Sequence, residues 1–210
     1  SIAMVACNFR FLDGFKKLQD ILQRQLFGSP LFARVILGYY LPAARPSVDF
    51  KKVYAAHKRN GGGVILDSGS HVVDYLIALF GDVHDARAIS GGSRFLRIDA
   101  EESAVVMVEH RSGLTAVVSL DYLSRRPVHC LNVVTTVGEL CFDFCTNILT
   151  FRDDTKEQVL YTPPPNVRDM FVEQVNHFFV CVESRIAPAQ DLTMSKTVLK
   201  LLLHAQETKR

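Results

Sequence analysis

GGGVILDSGSHVVDYLIALFG, residues 61–81, places three glycines ahead of a run in which Asp67, His71 and Asp74 interrupt apolar side chains. Val72, Val73, Leu76, Ile77, Leu79 and Phe80 recur at helical spacing, which predicts a helix over 67–80 stopped by Gly81. Positions three and four apart share a helix face, so Asp67, His71 and Asp74 form one polar stripe on an apolar helix. The glycines before it allow close approach of backbone or ligand. A histidine with a carboxylate nearby can move protons close to neutral pH. The same spacing also suits a capping Asp67, a satisfied buried His71 and an Asp74 bonded to a backbone amide. D-x3-H-x2-D on one helix is not a usual zinc spacing, and no metal site is expected.

Outward from this helix the period changes. Residues 102–110 and 114–122 alternate around Arg111-Ser112-Gly113, the pattern of a β-hairpin. Residues 128–137 and 139–144 form a second pair, and 148–151 with 158–161 a third, ended by Pro163-Pro164-Pro165. On the N-terminal side, 31–41 reads as a strand and 13–26 as a helix, with Asp13 as N-cap and Phe15, Leu18, Ile21 and Leu22 on its apolar side. A short helix is expected around 50–58. Residues 2–7, IAMVAC, read as a strand covered on both faces. Helices over 167–184 (apolar at Met170, Phe171, Val175, Phe178, Phe179 and Val182) and 193–208 close the chain, the second with Asp191 or Thr193 near its cap. The order predicts an α+β domain, an open, mostly antiparallel sheet with helices on one face.

With 48% hydrophobic and 22% charged residues, the 210-residue chain has material for a real core. Net charge is +2 with no basic block, which gives no case for nucleic acid or an anionic membrane. No stretch of 18 apolar residues suggests a membrane span, and SIAMVACNFRF lacks the build of a secretory signal. The five cysteines include no CxxC, and Cys141 and Cys145, in an apolar run, read as buried free thiols. A reducing, cytoplasmic location is expected.

The 61–81 segment closely resembles a signature in the C-terminal domain of the Gfo/Idh/MocA oxidoreductases: triple glycine, Asp67, Gly69, His71, Asp74, Leu79 and Gly81. Weaker resemblances follow in the same order, in VACNFRF, FGSPLFARV, AEESAVVMVEHRSGLTAVVSLDY, TTVGELCFD and the closing helices. The resemblance implies an NAD- or NADP-dependent oxidoreductase acting on a sugar, sugar-nucleotide or cyclitol hydroxyl. It implies His71 as acid/base on the reacting oxygen, Asp67 as the residue that orients substrate or His71, a structural Asp74, and Asn8 and Arg10 near the nicotinamide end of the cofactor. Residues 1–11 would be the remnant of the last strand of a dinucleotide-binding domain, and 12–210 the substrate and oligomerisation domain. The N-terminal Rossmann domain is otherwise missing: no G-x-G-x-x-G follows a strand, and the family's E-K-P triplet is absent. The chain is therefore expected not to turn over alone. SLDYLSRRPVH resembles relatives from surface-polysaccharide sugar pathways, and Arg125 and Arg126 could meet a phosphate or carboxylate or simply end a strand in solvent. The alternative is a non-catalytic assembly module, pairing as a homodimer or tetramer through the open sheet face.

Overall fold

A computed structural model describes residues 1–166 and 169–207. Helix α1 (Asp13–Gln23) leads to strand β1 (Pro30–Gly38), the short α2 (Leu41–Ala44) and three single 3-10 turns, Phe50–Lys52, Tyr54–Ala56 and Lys58–Asn60. Helix α3 (Val64–Phe80) follows. Strands β2 (Val83–Ser90), β3 (Ser103–His110), β4 (Thr115–Asp121), β5 (Val128–Thr135), β6 (Gly138–Asp143), β7 (Ile148–Arg152) and β8 (Glu157–Tyr161) come next, then α4 (Met170–Ser184) and α5 (Leu192–Glu207). The part of the expected 167–184 helix at residues 167–168, and residue 208 of the last helix, lie outside the described residues.

The strands form one eight-stranded sheet in the order β2-β3-β4-β1-β5-β6-β7-β8. β1 runs parallel to β4, with Val35 opposite Val118, and every other pair is antiparallel. Alternation fixes which residues face the helices. Val106 and Val108, Ala116, Val118 and Leu120, Leu131 and Val133, and Leu140 and Phe142 turn inward and are buried. The opposite face leaves Ile36, Ile89, Val105 and Met107 exposed. α3 lies on β3 and β4 between α1 and α5, and α5 also covers β2. The segment Lys58–Phe80 is long and apolar enough for a membrane crossing by length and composition, but two thirds of its 18-residue apolar window is buried inside the domain.

Several expectations need correction. Residues 2–7 form no strand. They lie beside α5's approach, held by Val5 N–H to the Gln190 carbonyl at 2.9 Å and by Gln190 Nε2 to the Cys7 carbonyl at 3.2 Å. The run is apolar, but no sheet edge reaches it. Asp13 is the first helical residue of α1 rather than its cap; Leu12 holds the cap position. α3 begins three residues before the expected start, so Asp67 sits inside its first turn and caps nothing. β2 escaped the sequence reading altogether. Cys141 is half-buried and Cys145 exposed, because 140, 142 and 144 are the inward positions of that run. In α4 the expected apolar stripe is turned outward: Phe171, Val175, Phe179 and Val182 are exposed, while Gln174 and Cys181 are buried.

Candidate functional site

The glycines come first, because they decide what the start of α3 is for. Gly63 has φ +100°, and a Cβ there would collide with the Glu101 carboxylate; a Cβ on Gly62 would strike the Tyr54 carbonyl. Glu101 in turn accepts from the Ile65 N–H through Oε1 at 3.2 Å, and its carbonyl accepts from the Val64 N–H at 3.1 Å. A carboxylate there complements the positive end of the helix dipole. The close approach that the glycines permit is thus to the protein's own Glu101 and Tyr54. The start of α3 is filled, and it offers no phosphate cradle.

One turn further, Asp67 is held from three sides. Tyr39, just beyond β1, donates its hydroxyl at 2.9 Å, Tyr122, just beyond β4, donates at 2.8 Å, and Tyr54 donates from its 3-10 turn. Burial, then the Asp67 charge, pushes all three phenols up, that of Tyr54 to about 12, so they stay protonated donors. Asp67 is therefore held in a tyrosine cage, and its side-chain bonds go to phenols rather than to His71.

His71, one turn on, is mostly buried, and its Nδ1 has no hydrogen-bond partner among the described residues. Burial holds its pKa below the ordinary value, against the pull of the Asp67 and Asp74 charges. Phe9 stands edge-on to it at 5.5 Å. Phe9 also meets His129 at 4.5 Å, and His129 stacks on Phe144 at 3.9 Å with its Nε2 at 3.2 Å from the Tyr75 hydroxyl. Burial first, then the neighbouring His71, lowers His129 to about 3.

Phe9 is placed by the 3-10 turn Asn8–Phe11, and that turn is latched to α3 by Arg10. The guanidinium donates to both Asp74 carboxylate oxygens, at 2.6 and 2.7 Å, and to the Asp74 carbonyl at 2.6 Å. The Asp74 side chain is buried and that of Arg10 is mostly so, which makes this a bidentate pair largely away from water. Burial pushes the Asp74 carboxyl up, and the guanidinium opposes it.

These elements enclose a cavity of about 590 Å³, within the range of small-molecule sites. Asp67 and His71 of α3 line it, with Leu37 and Tyr39 at the end of β1, Asn8 and Phe9 from the 3-10 turn, and His129 and Phe144 from the sheet. α4 closes it with Phe171 and Gln174. Of the residues singled out in the sequence, Asp67, His71 and Asn8 therefore share one space. Arg10 is engaged with Asp74 behind it. Arg125 and Arg126 are exposed and outside the lining, with Arg125 lying 3.7 Å over the Tyr40 ring. Among the described residues no group of three His, Cys, Asp or Glu could hold a metal ion.

Sequence reasoning missed Tyr39, Tyr54, Tyr122, His129 and Gln174. One signal was available: in the alternation of β5, position 129 falls inward with Leu131 and Val133, and a histidine at a core position asks for a reason. The tyrosines lie 28, 13 and 55 residues from Asp67, beyond any local pattern.

Fold and cavity define a class, an α+β domain with one bare sheet face and a ligand-sized pocket between the helix layer and the sheet end. The sequence model of the GFO/IDH/MocA C-terminal domain matches residues 15–141, more than half of the chain, and the chain belongs to that family. The D-apiose dehydrogenase of Paraburkholderia graminis is 31% identical over 124 residues, covering 59% of this chain and 31% of that protein. Among solved structures, levoglucosan dehydrogenase in complex with NADH superposes with a TM-score of 0.81 at 15% identity, over 98% of this chain and 64% of that one. The UDP-N-acetylglucosamine 3-dehydrogenase from Acidithiobacillus ferrooxidans gives 0.76 at 17%, over 99% and 61%. The last two show the shared fold. The chain spans less than two thirds of these solved relatives and under a third of the D-apiose enzyme.

Proposed function

We propose that this chain forms the substrate side of an NAD- or NADP-linked dehydrogenase acting on a hydroxyl of a sugar, sugar nucleotide or cyclitol. The observation that carries the reading is His71, a buried, neutral imidazole in the wall of a ligand-sized cavity, one helical turn from a fixed carboxylate. Oxidation of a secondary alcohol releases a hydride and a proton. A bound nicotinamide supplies the hydride acceptor. An imidazole kept neutral by burial is ready to take the hydroxyl proton, and once charged it is stabilised by Asp67 and Asp74. The tyrosine cage keeps Asp67 in place through that change.

The described residues do not fit the dinucleotide as a whole. The glycine-led start of α3 is filled by Glu101, and the described residues hold no strand–glycine turn–helix unit for a pyrophosphate. Asn8, in the cavity wall, would meet at most the nicotinamide end, and the remainder of the dinucleotide would be held outside the described residues. Alone, the chain is expected to bind substrate without turnover. Arg125 and Arg126, just before Pro127 at the cavity rim, would serve a phosphate or carboxylate of a larger substrate.

The test is a titration with D-apiose and with levoglucosan, read on the ring C–H resonances of His71. A saturable shift with either sugar supports the reading; resonances unmoved by both refute it. A second reading rests on a separate observation, the exposed Ile36, Ile89, Val105 and Met107 on the outer sheet face. On that reading the domain assembles into a homodimer or tetramer through this face. Sedimentation of the protein and of a Met107→Glu variant checks it, with dissociation of an oligomer as the expected outcome.

A further inference from the structure

Helix α4 begins with Asp169 accepting from the Phe171 N–H at 2.7 Å. Its inward stripe then carries Gln174 where an apolar residue would serve the packing. Gln174 is 8% exposed, lines the cavity, and has an Oε1 with no hydrogen-bond partner among the described residues. Buried carboxamides in folded proteins are nearly always paired, since an unpaired one forfeits its hydration for nothing. Across the same wall stands Asn8, equally buried, whose Nδ2 donates at 3.4 Å to the Met170 thioether, a weak acceptor. Met170 and Gln174 are four apart on one face of α4, so Asn8 and Gln174 are neighbours. Two carboxamides with most of their bonding capacity unspent therefore border one apolar, aromatic-walled space.

We propose that Gln174 is a subsite for a non-reacting hydroxyl of the substrate, separate from the hydroxyl that His71 deprotonates and next to the Asn8 that would meet the nicotinamide end. The proposal rests on the sugar reading above and adds a specificity-determining residue to it. A hydroxyl both donates and accepts, so it satisfies a carboxamide standing either way round. A phosphate or carboxylate only accepts, and would leave Oε1 unpaired. The last side-chain torsion of glutamine is broad, so the amide can swing to a ligand without moving the helix. The wall thus selects a neutral polyol over an anion at this end of the cavity.

The experiment uses Gln174→Met, which keeps length and removes the bonding capacity. Two quantities are read: the melting temperature of the free protein, and affinity for D-apiose and levoglucosan from the His71 titration. If the carboxamide is held for ligand, the free variant melts no lower than the parent, while sugar affinity falls about tenfold, the worth of one hydrogen bond. In the unaltered protein the Gln174 side-chain amide resonances also shift with sugar, a readout that does not depend on the variant folding. Equal affinity in variant and parent overturns the subsite and leaves the sugar reading standing. A lower melting temperature with unchanged affinity makes Gln174 a packing residue and overturns it as well. If neither sugar moves any cavity resonance in the parent, the sugar reading falls and takes the subsite with it.

Discussion

Replacing His129 with phenylalanine should flatten the acid side of the stability curve. Free in an unfolded chain, His129 titrates near 6.5, while the folded site holds it at about 3. Between those values the unfolded chain binds a proton that the folded protein refuses, so stability is complete above 6.5 and is lost as pH falls toward 3. At pH 5 the linkage relation puts the loss from this residue at about 2 kcal/mol. His71 and His110 are also lowered, by burial in each case, and act in the same direction. They are present in both proteins, so the difference isolates His129. The phenyl ring keeps the stack on Phe144 but leaves the fully buried Tyr75 hydroxyl unpaired, costing about 1–3 kcal/mol at pH 7. The variant is therefore the weaker protein at pH 7, and the gap narrows by about 2 kcal/mol at pH 5. Urea midpoints at both pH values, with equal m, measure it. A gap that stays the same at both pH values would refute the picture of a buried neutral imidazole at position 129.

Arg10→Met strands Asp74 in the interior and should cost about 3–5 kcal/mol in urea unfolding, most of it recovered when Asp74→Leu is added; a single-variant loss below about 1 kcal/mol would contradict a buried pair. Gly63→Ala should destabilise far more than Gly61→Ala: both sit at positive φ, but only Gly63 has the Glu101 carboxylate where a Cβ would go, and thermal melts of the two variants compare them directly. Tyr122→Phe removes one donor from Asp67 and should cost about 1–3 kcal/mol. Combined with Asp67→Leu, it should cost less than the sum of the two single changes, because both report on one cage; strict additivity in a double-mutant cycle would show that the cage does not act as a unit.

The hairpins were legible because the strands from β3 to β7 alternate, with Val106 and Val108 inward against Met107 and Glu109 outward, and because turn residues separate them. β2 was not, because its inward residues are Ala86 and Ala88, small and poor in strand propensity, so VHDARAIS shows no apolar beat. The phase of α4 was unreadable for the opposite reason. Its solvent side carries Phe171, Val175 and Phe179, so the apolar stripe visible in the sequence is not the buried one, which holds Gln174 and Cys181. In the site, the Asp67–His71 step is one helical turn and visible in sequence. The cage around Asp67 is assembled by strand ends that only the parallel pairing of β1 with β4 brings side by side, Leu37 opposite Leu120.

The Arg10–Asp74 latch has a mechanical consequence. Residues 1–7 are tethered to the domain through Gln190, by single bonds at Val5 and Cys7, whereas Arg10 is tied to α3 by three. A pull on the N-terminus would peel away the first tether and then meet α3, a buried 17-residue helix. Load entering there is carried past Phe9 and into the helix that bears His71, so displacement of whatever precedes residue 8 stops at a fixed shoulder and the aromatic wall between the two histidines keeps its shape.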